Sequence, residues 1–322
     1  MAGNLRPGDD MSHSGKDNNK KSEKVNHVRS IMVIIVTVLV AAGLTAAGSQ
    51  GGATVHVAGF NVPVLAICAA LSFAINWLIF LPSWLAQTEH FFDLTGSLCF
   101  ITLALLALNL SPGQDSRAII LTMMIFIWAA RLGSFLFLRV RKDGSDGRFD
   151  DIKPVFSRFM VTWSIQALWV FVTSAAALTA ITSSNRQPME TAAYVGIALW
   201  ATGLFIEIVA DRQKRRFRAT PANEGKFINS GLWAWSRHPN YFGEILLWIG
   251  VALVAAPVLS GWQLLSLISP FFVVILLTRV SGIPLLEARS DKRWGKDASY
   301  QHYKQNTPVL LPRPPRALGS HT

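Results

Sequence analysis

The chain alternates long apolar runs with short polar and basic stretches. Eight runs are long enough to cross a bilayer: 31–47, 62–81, 92–110, 118–138, 159–182, 191–210, 241–259 and 262–278. A membrane-spanning helix needs roughly 20 mainly apolar residues, within about 17–25. Hydrocarbon offers no water to backbone N–H and C=O groups, so such runs fold as helices that satisfy their own polar groups. The pattern predicts an all-α, polytopic membrane helix bundle.

The flanks read differently. Residues 1–30 are rich in Asn, Ser, Lys and Asp and are expected to be disordered. The first run, 31–47, is then an extra transmembrane helix. Small residues follow it (Thr45-Ala46-Ala47-Gly48-Ser49), as after a cleaved leader. The long polar stretch before it and the length of the run fit an uncleaved anchor better. Four prolines lie beyond Thr307 (Pro308, Pro312, Pro314 and Pro315), and 312–322 reads as a flexible tail.

Composition sharpens this picture. Of 322 residues, 51% are hydrophobic and 15% charged, against about 25% charged in soluble domains. The net charge of +11 could signal a nucleic-acid binder, but the positions of the basic residues argue otherwise. With eight spans and a cytoplasmic N-terminus, the cytoplasmic stretches 1–30, 139–158, 211–240 and 279–322 hold 6, 6, 7 and 8 Lys or Arg, or 27 of 30. Arg117 and Arg186 fall on the other side, and Arg131 lies inside the fourth span. Cytoplasmic loops of membrane proteins carry excess Lys and Arg, so the charge reads as topology with both termini cytoplasmic. No nucleic-acid partner is expected. Cys68 and Cys99 sit inside apolar runs, where buried thiols are expected and a disulfide framework is not.

Candidate chemistry concentrates in 207–244. Glu207 and Asp211 are four residues apart, on one helix face at the end of the sixth run. Acids at that depth need a partner, water or a function; a salt bridge to Arg215 or Arg218 is the plain alternative. The stretch 212–218 holds five Lys or Arg, including Lys214 and Arg218. It can flank a membrane and attract anionic lipid, or bind a phosphate-bearing ligand. Ser236-Arg237-His238-Pro239-Asn240-Tyr241 precedes the seventh run. Pro239 suits a first helical turn, Ser236 can cap or flank it, and the helix start with Arg237 favours an anion. Asn240 and Glu244 again share a face, and packing does not explain Glu244 in an apolar helix. His238 alone fits an interfacial or structural histidine as well as a ligand. Arg279 and Glu287 flank the end of the last run around Gly282-Ile283-Pro284, and Arg131 needs a partner or a water cavity. P-loop, GxGxxG, HExxH and CxxC motifs are missing from the sequence, so a nucleotide would bind outside a Rossmann fold and no metal is expected.

These residues carry a resemblance. Ala210-Asp211-x-Gln213-Lys214-x-x-Phe217, Lys226-Phe227-Ile228, Gly231-Leu232-Trp233, Ser236 to Glu244, Thr278 to Glu287, Tyr300-x-x-Tyr303-Lys304 and Thr307-Pro308 are together similar to the bacterial steroid 5-alpha-reductase-like membrane proteins, a group related to the isoprenylcysteine methyltransferase superfamily. The resemblance covers about 62–311, most strongly 207–311. It implies a seven-helix core, here with one added N-terminal helix, in a bacterial cytoplasmic membrane, with NADPH held in a cytosol-facing cavity by the later helices. It implies that Asp211, Arg218, Asn240, Glu244 and Arg279 are cofactor ligands, with Glu207, Lys214, Arg237, His238, Tyr241 and Glu287 around them. It also implies reduction of an activated C=C bond in an apolar, steroid-like or other lipid enone.

The steroid enzymes use a Gln-Glu pair and a Tyr in a following helix to polarise the substrate carbonyl. Here Gln87 and Glu89 are split by Thr88, and the first Tyr is Tyr194. Glu89 is then the expected acid, if burial raises its pKa, with Gln87 beside it and Arg131 as an alternative stabiliser. The isoprenylcysteine and phospholipid methyltransferases share a similar Arg-His-Pro run and bind S-adenosylmethionine with the same region. A membrane scaffold with a vestigial nucleotide site is a third reading.

Overall fold

The structure is a computed structural model that describes residues 10–143 and 146–315. Its main helices are α1 Asp10–Gly48, α2 Val64–Leu85, α3 Phe92–Leu110, α4 Ser116–Asp143, α5 Phe156–Thr182, α6 Thr191–Ala219, α7 Pro239–Ala255, α8 Ile268–Ile275, α9 Ile283–Trp294 and α10 Ala298–Asn306. Among the described residues, eight segments are long and apolar enough to cross a membrane, as the hydrophobic pattern predicts. The chain is an integral membrane protein with an all-α bundle fold. Helical backbone in α1 starts at Asp10, within the stretch expected to be disordered; residues 1–9 and 316–322 lie outside the described residues.

The last span is not one continuous helix. It runs as a 3₁₀ segment (Gly261–Leu267), then α8, then a π-helical turn (Leu276–Val280), before the chain bends into α9. Single π turns inside helices are frequent at functional sites, and this one carries Arg279.

Helix α5 is the hub. It packs on α1, α2, α3, α4, α7 and α8, and its second half is buried almost without a break from Val170 to Thr182. That half is rich in Ala, Ser and Thr, the small residues that let membrane helices approach closely. A neutral polar network ties it to α2 and α3. Gln166 donates to Asn76 Oδ1 (2.9 Å) and Phe92 O (3.0 Å), Asn76 donates to Ser72 O (2.8 Å), and Ser72 donates to Ala167 O (2.8 Å).

Helices α6 and α7 run antiparallel with their backbones in contact. Gly203 faces Gly243, and Gly196 faces Gly250. A Cβ at Gly203 would sit 2.5 Å from Gly243 O, and one at Gly250 would sit 2.5 Å from Gly196 O. Each helix therefore carries a pair of glycines seven residues apart that no larger residue fits. The register this sets places Glu207 one turn beyond Gly203 and Glu244 next to Gly243.

The hydrogen bonds sort the loops into two ends. At one, Arg117 donates to Val254 O (2.5 Å) and Pro188 O (2.7 Å), and Ser183 donates to Val258 O (3.0 Å). A two-stranded hairpin, β1 Thr54–Val57 and β2 Phe60–Pro63, lies at that end, turning at Ala58 and Gly59 with φ of 48° and 87°. The other end gathers the basic loops and the chemistry.

Candidate active site

Three elements converge at the basic end. From α4 comes Arg131, from α6 Glu207 and Asp211, and from α7 Asn240 and Glu244. The Arg131 guanidinium grips both α6 acids, one nitrogen on Glu207 Oε1 and the other on Asp211 Oδ2. The plain expectation of a partner within α6, Arg215 or Arg218, gives way to this pairing across helices. Asn240 Nδ2 donates to Asp211 Oδ1 at 3.4 Å. Phe135, one turn along α4, lies against two guanidiniums, Arg131 at 5.6 Å and Arg215 at 5.3 Å from the ring centre.

The cluster is not closed. Asn240 Oδ1 is a buried acceptor and the Trp248 indole N–H a buried donor with no hydrogen-bond partner, while the Trp128 indole, whose ring meets that of Trp248 at 5.0 Å, is turned to Glu207. Glu244 lies close enough to feel Glu207, Asp211 and Arg131 electrostatically. Two carboxylates thus hold one bidentate guanidinium, with the Glu244 carboxyl nearby. Native structures leave few buried polar atoms unpaired, so this concentration marks a place able to accept hydrogen bonds from a ligand.

A second network abuts the first through α7. Glu287 on α9 accepts from Arg237 and from His238 Nε2 (2.8 Å), and Lys304 lies 3.9 Å away. A carboxylate only accepts, so His238 carries its proton on Nε2. Burial holds the His238 pKa below the ordinary 6.5, although Glu287 opposes this, and the ring is neutral near pH 7. It stacks on Tyr241 with centroids 5.8 Å apart. Pro239 does open α7, but His238 is the N-cap residue. Ser236 flanks it, accepting from His238 N–H (3.1 Å) and donating to Leu310 O (2.9 Å). Arg237 N–H donates to Pro308 O (2.9 Å), so the C-terminal segment is stitched under the α7 start. On α6, Gln213 accepts from Leu232 N–H (2.9 Å), and Lys214 lies over the Trp233 ring at 4.5 Å.

Glu89 sits apart from both networks. It is 3% exposed and accepts from Lys153 Nζ (2.6 Å) and Asp146 N–H (2.7 Å). Burial alone would raise its pKa, as expected from the sequence, but the Lys153 ammonium and the Asp146 amide outweigh burial and lower it. The upward shift an acid would need is reversed, and Glu89 is a carboxylate that pins the 146–153 loop. Phe149 from that loop packs on Phe92 (5.0 Å). Gln87 is exposed, with φ of 49°, and donates to Trp84 O (2.8 Å) in its own turn. The structure does not bring Gln87 to the Arg131 cluster. Arg218 and Arg279 are exposed, at the end of α6 and in the π turn.

Sequence reasoning missed Lys153, Asp146 and Phe135. Loop residues far apart in sequence give no periodic signal, and an aromatic in an apolar helix looks like any other.

Residues 79–307 match the family described as "Protein of unknown function (DUF1295)". Among similar curated proteins, rat 3-oxo-5-alpha-steroid 4-dehydrogenase 1 is 29% identical over 118 residues, 36% of this chain and 40% of that protein. The human protein of the same name is 32% identical over 84 residues, 26% of this chain and 30% of its own length. Probable O-methyltransferase ustE of Ustilaginoidea virens is 31% identical over 98 residues, 30% of this chain and 32% of that protein. The chain thus spans well under half of each of these relatives. No solved structure matches. The family match covers the acid cluster around Arg131, the Arg237–His238–Glu287–Lys304 group and the Glu89–Lys153 pair, and the chain belongs to the DUF1295 family, which includes steroid 5-alpha-reductase-like proteins.

Proposed function

We propose that the protein is an NADPH-dependent reductase of the bacterial cytoplasmic membrane, with both termini in the cytoplasm, that saturates an activated C=C bond in an apolar, steroid-like or other lipid enone. The observation that carries this reading is the open acid cluster on α4, α6 and α7, at the basic end of a chain similar in part to named 3-oxo-5-alpha-steroid 4-dehydrogenases.

The residues present fit the cofactor. The unpartnered acceptor Asn240 Oδ1 suits a hydroxyl or amide N–H donor such as those of ribose and carboxamide. Arg212, Arg215, Arg216 and Arg218 on the exposed end of α6, with Arg279, suit phosphate, for which arginine is well shaped. Bound NADPH supplies the hydride delivered to the β-carbon of the enone. Asp211, Glu244 and Asn240 orient the cofactor by accepting from and donating to its polar groups. Arg131, held between two acids, is the candidate to stabilise negative charge developing on the substrate carbonyl oxygen. His238, Arg237 and Glu287 brace the start of α7, so that Asn240 and Glu244 point from a fixed helix end.

Nucleotide titration of the purified, detergent-solubilised protein tests this. NADPH binding, weakened in Glu244→Gln and Arg279→Ala, supports it; no binding at millimolar NADPH overturns it. The similarity to a named O-methyltransferase favours a second reading, S-adenosylmethionine-dependent methyl transfer. Binding of S-adenosylmethionine without NADPH would select it.

A further inference from the structure

Helix α9 leaves the last span through a tight bend. A Cβ at Gly282 would lie 2.6 Å from Leu277 O and 2.9 Å from the Tyr241 ring, so the chain turns hard against the span and the start of α7. The helix therefore begins where the apolar run ends, at the edge of the bilayer. One side of α9 is committed to the protein. Glu287 binds Arg237 and His238, Asp291 binds Lys304 (2.6 Å), Trp294 donates to Gly225 O, and Ile283 is buried. Side chains three or four residues apart share a helix face, so these four residues form the inward one. The opposite side carries Leu285, Arg289 and Lys292, each one turn from the next, with Arg293 beside them, and all four are exposed. Among the described residues, none of these three cations forms an ion pair, because the acids of α9 are engaged on the other side. Val280, just before the bend, is an exposed apolar residue like Leu285.

We propose that this outward face of α9 lies on the bilayer surface and binds the headgroups of anionic phospholipids, with Leu285 in the apolar edge and Arg289, Lys292 and Arg293 on the phosphates. A helix with an apolar residue and a basic polar face suits the membrane interface. Each Lys or Arg held near an anionic leaflet adds attraction that fades within a Debye length. The cations alone would suit any acidic partner; the exposed Val280 and Leu285 at the membrane end of α9 single out the lipid surface. The proposal rests on the basic end lying at a bilayer surface and not on the reaction assigned to the Arg131 cluster.

Amide hydrogen exchange tests this, read by mass spectrometry on peptides from α9. The full chain is compared in nanodiscs of dioleoyl phosphatidylcholine alone and mixed with dioleoyl phosphatidylglycerol. Headgroups that bind the folded helix oppose its local opening. Exchange in α9 should slow at least about fivefold in the anionic discs, the effect that one engaged cation supplies. The slowing should vanish in Arg289→Gln/Lys292→Gln/Arg293→Gln and survive in Arg289→Lys/Arg293→Lys, which keeps the charge. If the neutral variant does not fold, wild type at high salt is read in its place, since screening should remove the slowing. Equal exchange in the two lipids, slowing that persists in the neutral variant or at high salt, or slowing as large in α10 overturns the proposal. Slowing by inorganic phosphate in pure phosphatidylcholine discs also overturns it, because it marks a site for a free anion. NADPH titration of the same samples keeps failure here separate from failure of the reductase reading.

Discussion

Two buried polar clusters inside this bundle differ in a way that separates scaffold from site. Around Asn76, Gln166 and Ser72 every group is neutral and bonded, and the bonds join α2, α3 and α5. Around Arg131 two acids grip one guanidinium, a third, Glu244, lies near, and a buried acceptor and a buried donor are left over. Membrane-helix hydrogen bonds average well under 1 kcal/mol each, so the first cluster is modest glue. The second places acids at a depth where they are costly and tend to be functional. The cost is borne by the glycine-lined α6–α7 contact, which fixes the acids in register.

The comparison can be broken at several points. Arg131→Ala should cost most, about 3–5 kcal/mol, because it strands two buried acids; a thermal melt in detergent within a degree of wild type would mean that the ion pairs do not matter. Gly203→Val should cost about 1–3 kcal/mol or more by driving α6 off α7, with NADPH affinity falling in parallel. Asn76→Ala should cost up to about 1–3 kcal/mol by leaving one Gln166 N–H without its acceptor and leave NADPH affinity unchanged, which separates glue from site.

The smallest effect is in the pH profile. Glu89 has a folded pKa below its unfolded value of about 4.3. Its stabilisation is complete above that value and is lost as pH falls through the folded pKa. Lys153 has a raised pKa, so its contribution holds below about 10.4 and fades as pH rises through the folded value. Glu89→Gln should flatten the acid limb of the melting temperature; an unchanged limb would show that the loop is held by other contacts.

Much of this was legible in the sequence, and the reasons are physical. Eight apolar runs announce eight spans because hydrocarbon permits little else, and the i, i+4 pairs Glu207/Asp211 and Asn240/Glu244 announce shared faces. That Arg131 needs a partner could be read from its depth, but not which partner, since helix packing decides that. The glycine pairs at 196/203 and 243/250 were in plain view, yet a spacing of seven has meaning only once two helices are known to touch. The hairpin at 54–63 hid because Val, Phe and Pro there continue the apolar look of the next span. The direction of the Glu89 pKa turned on Lys153, 64 residues away in sequence.

The central claim is that the open acid cluster holds the nicotinamide cofactor. The most direct test is NADPH titration of wild type beside Glu244→Gln, with thermal melts of both. The account predicts that wild type binds, that the variant binds at least tenfold more weakly, and that its melting temperature is no lower, because Glu244 makes no ion pair among the described residues. Equal affinity in the two proteins, or no binding by wild type at millimolar NADPH, would contradict it.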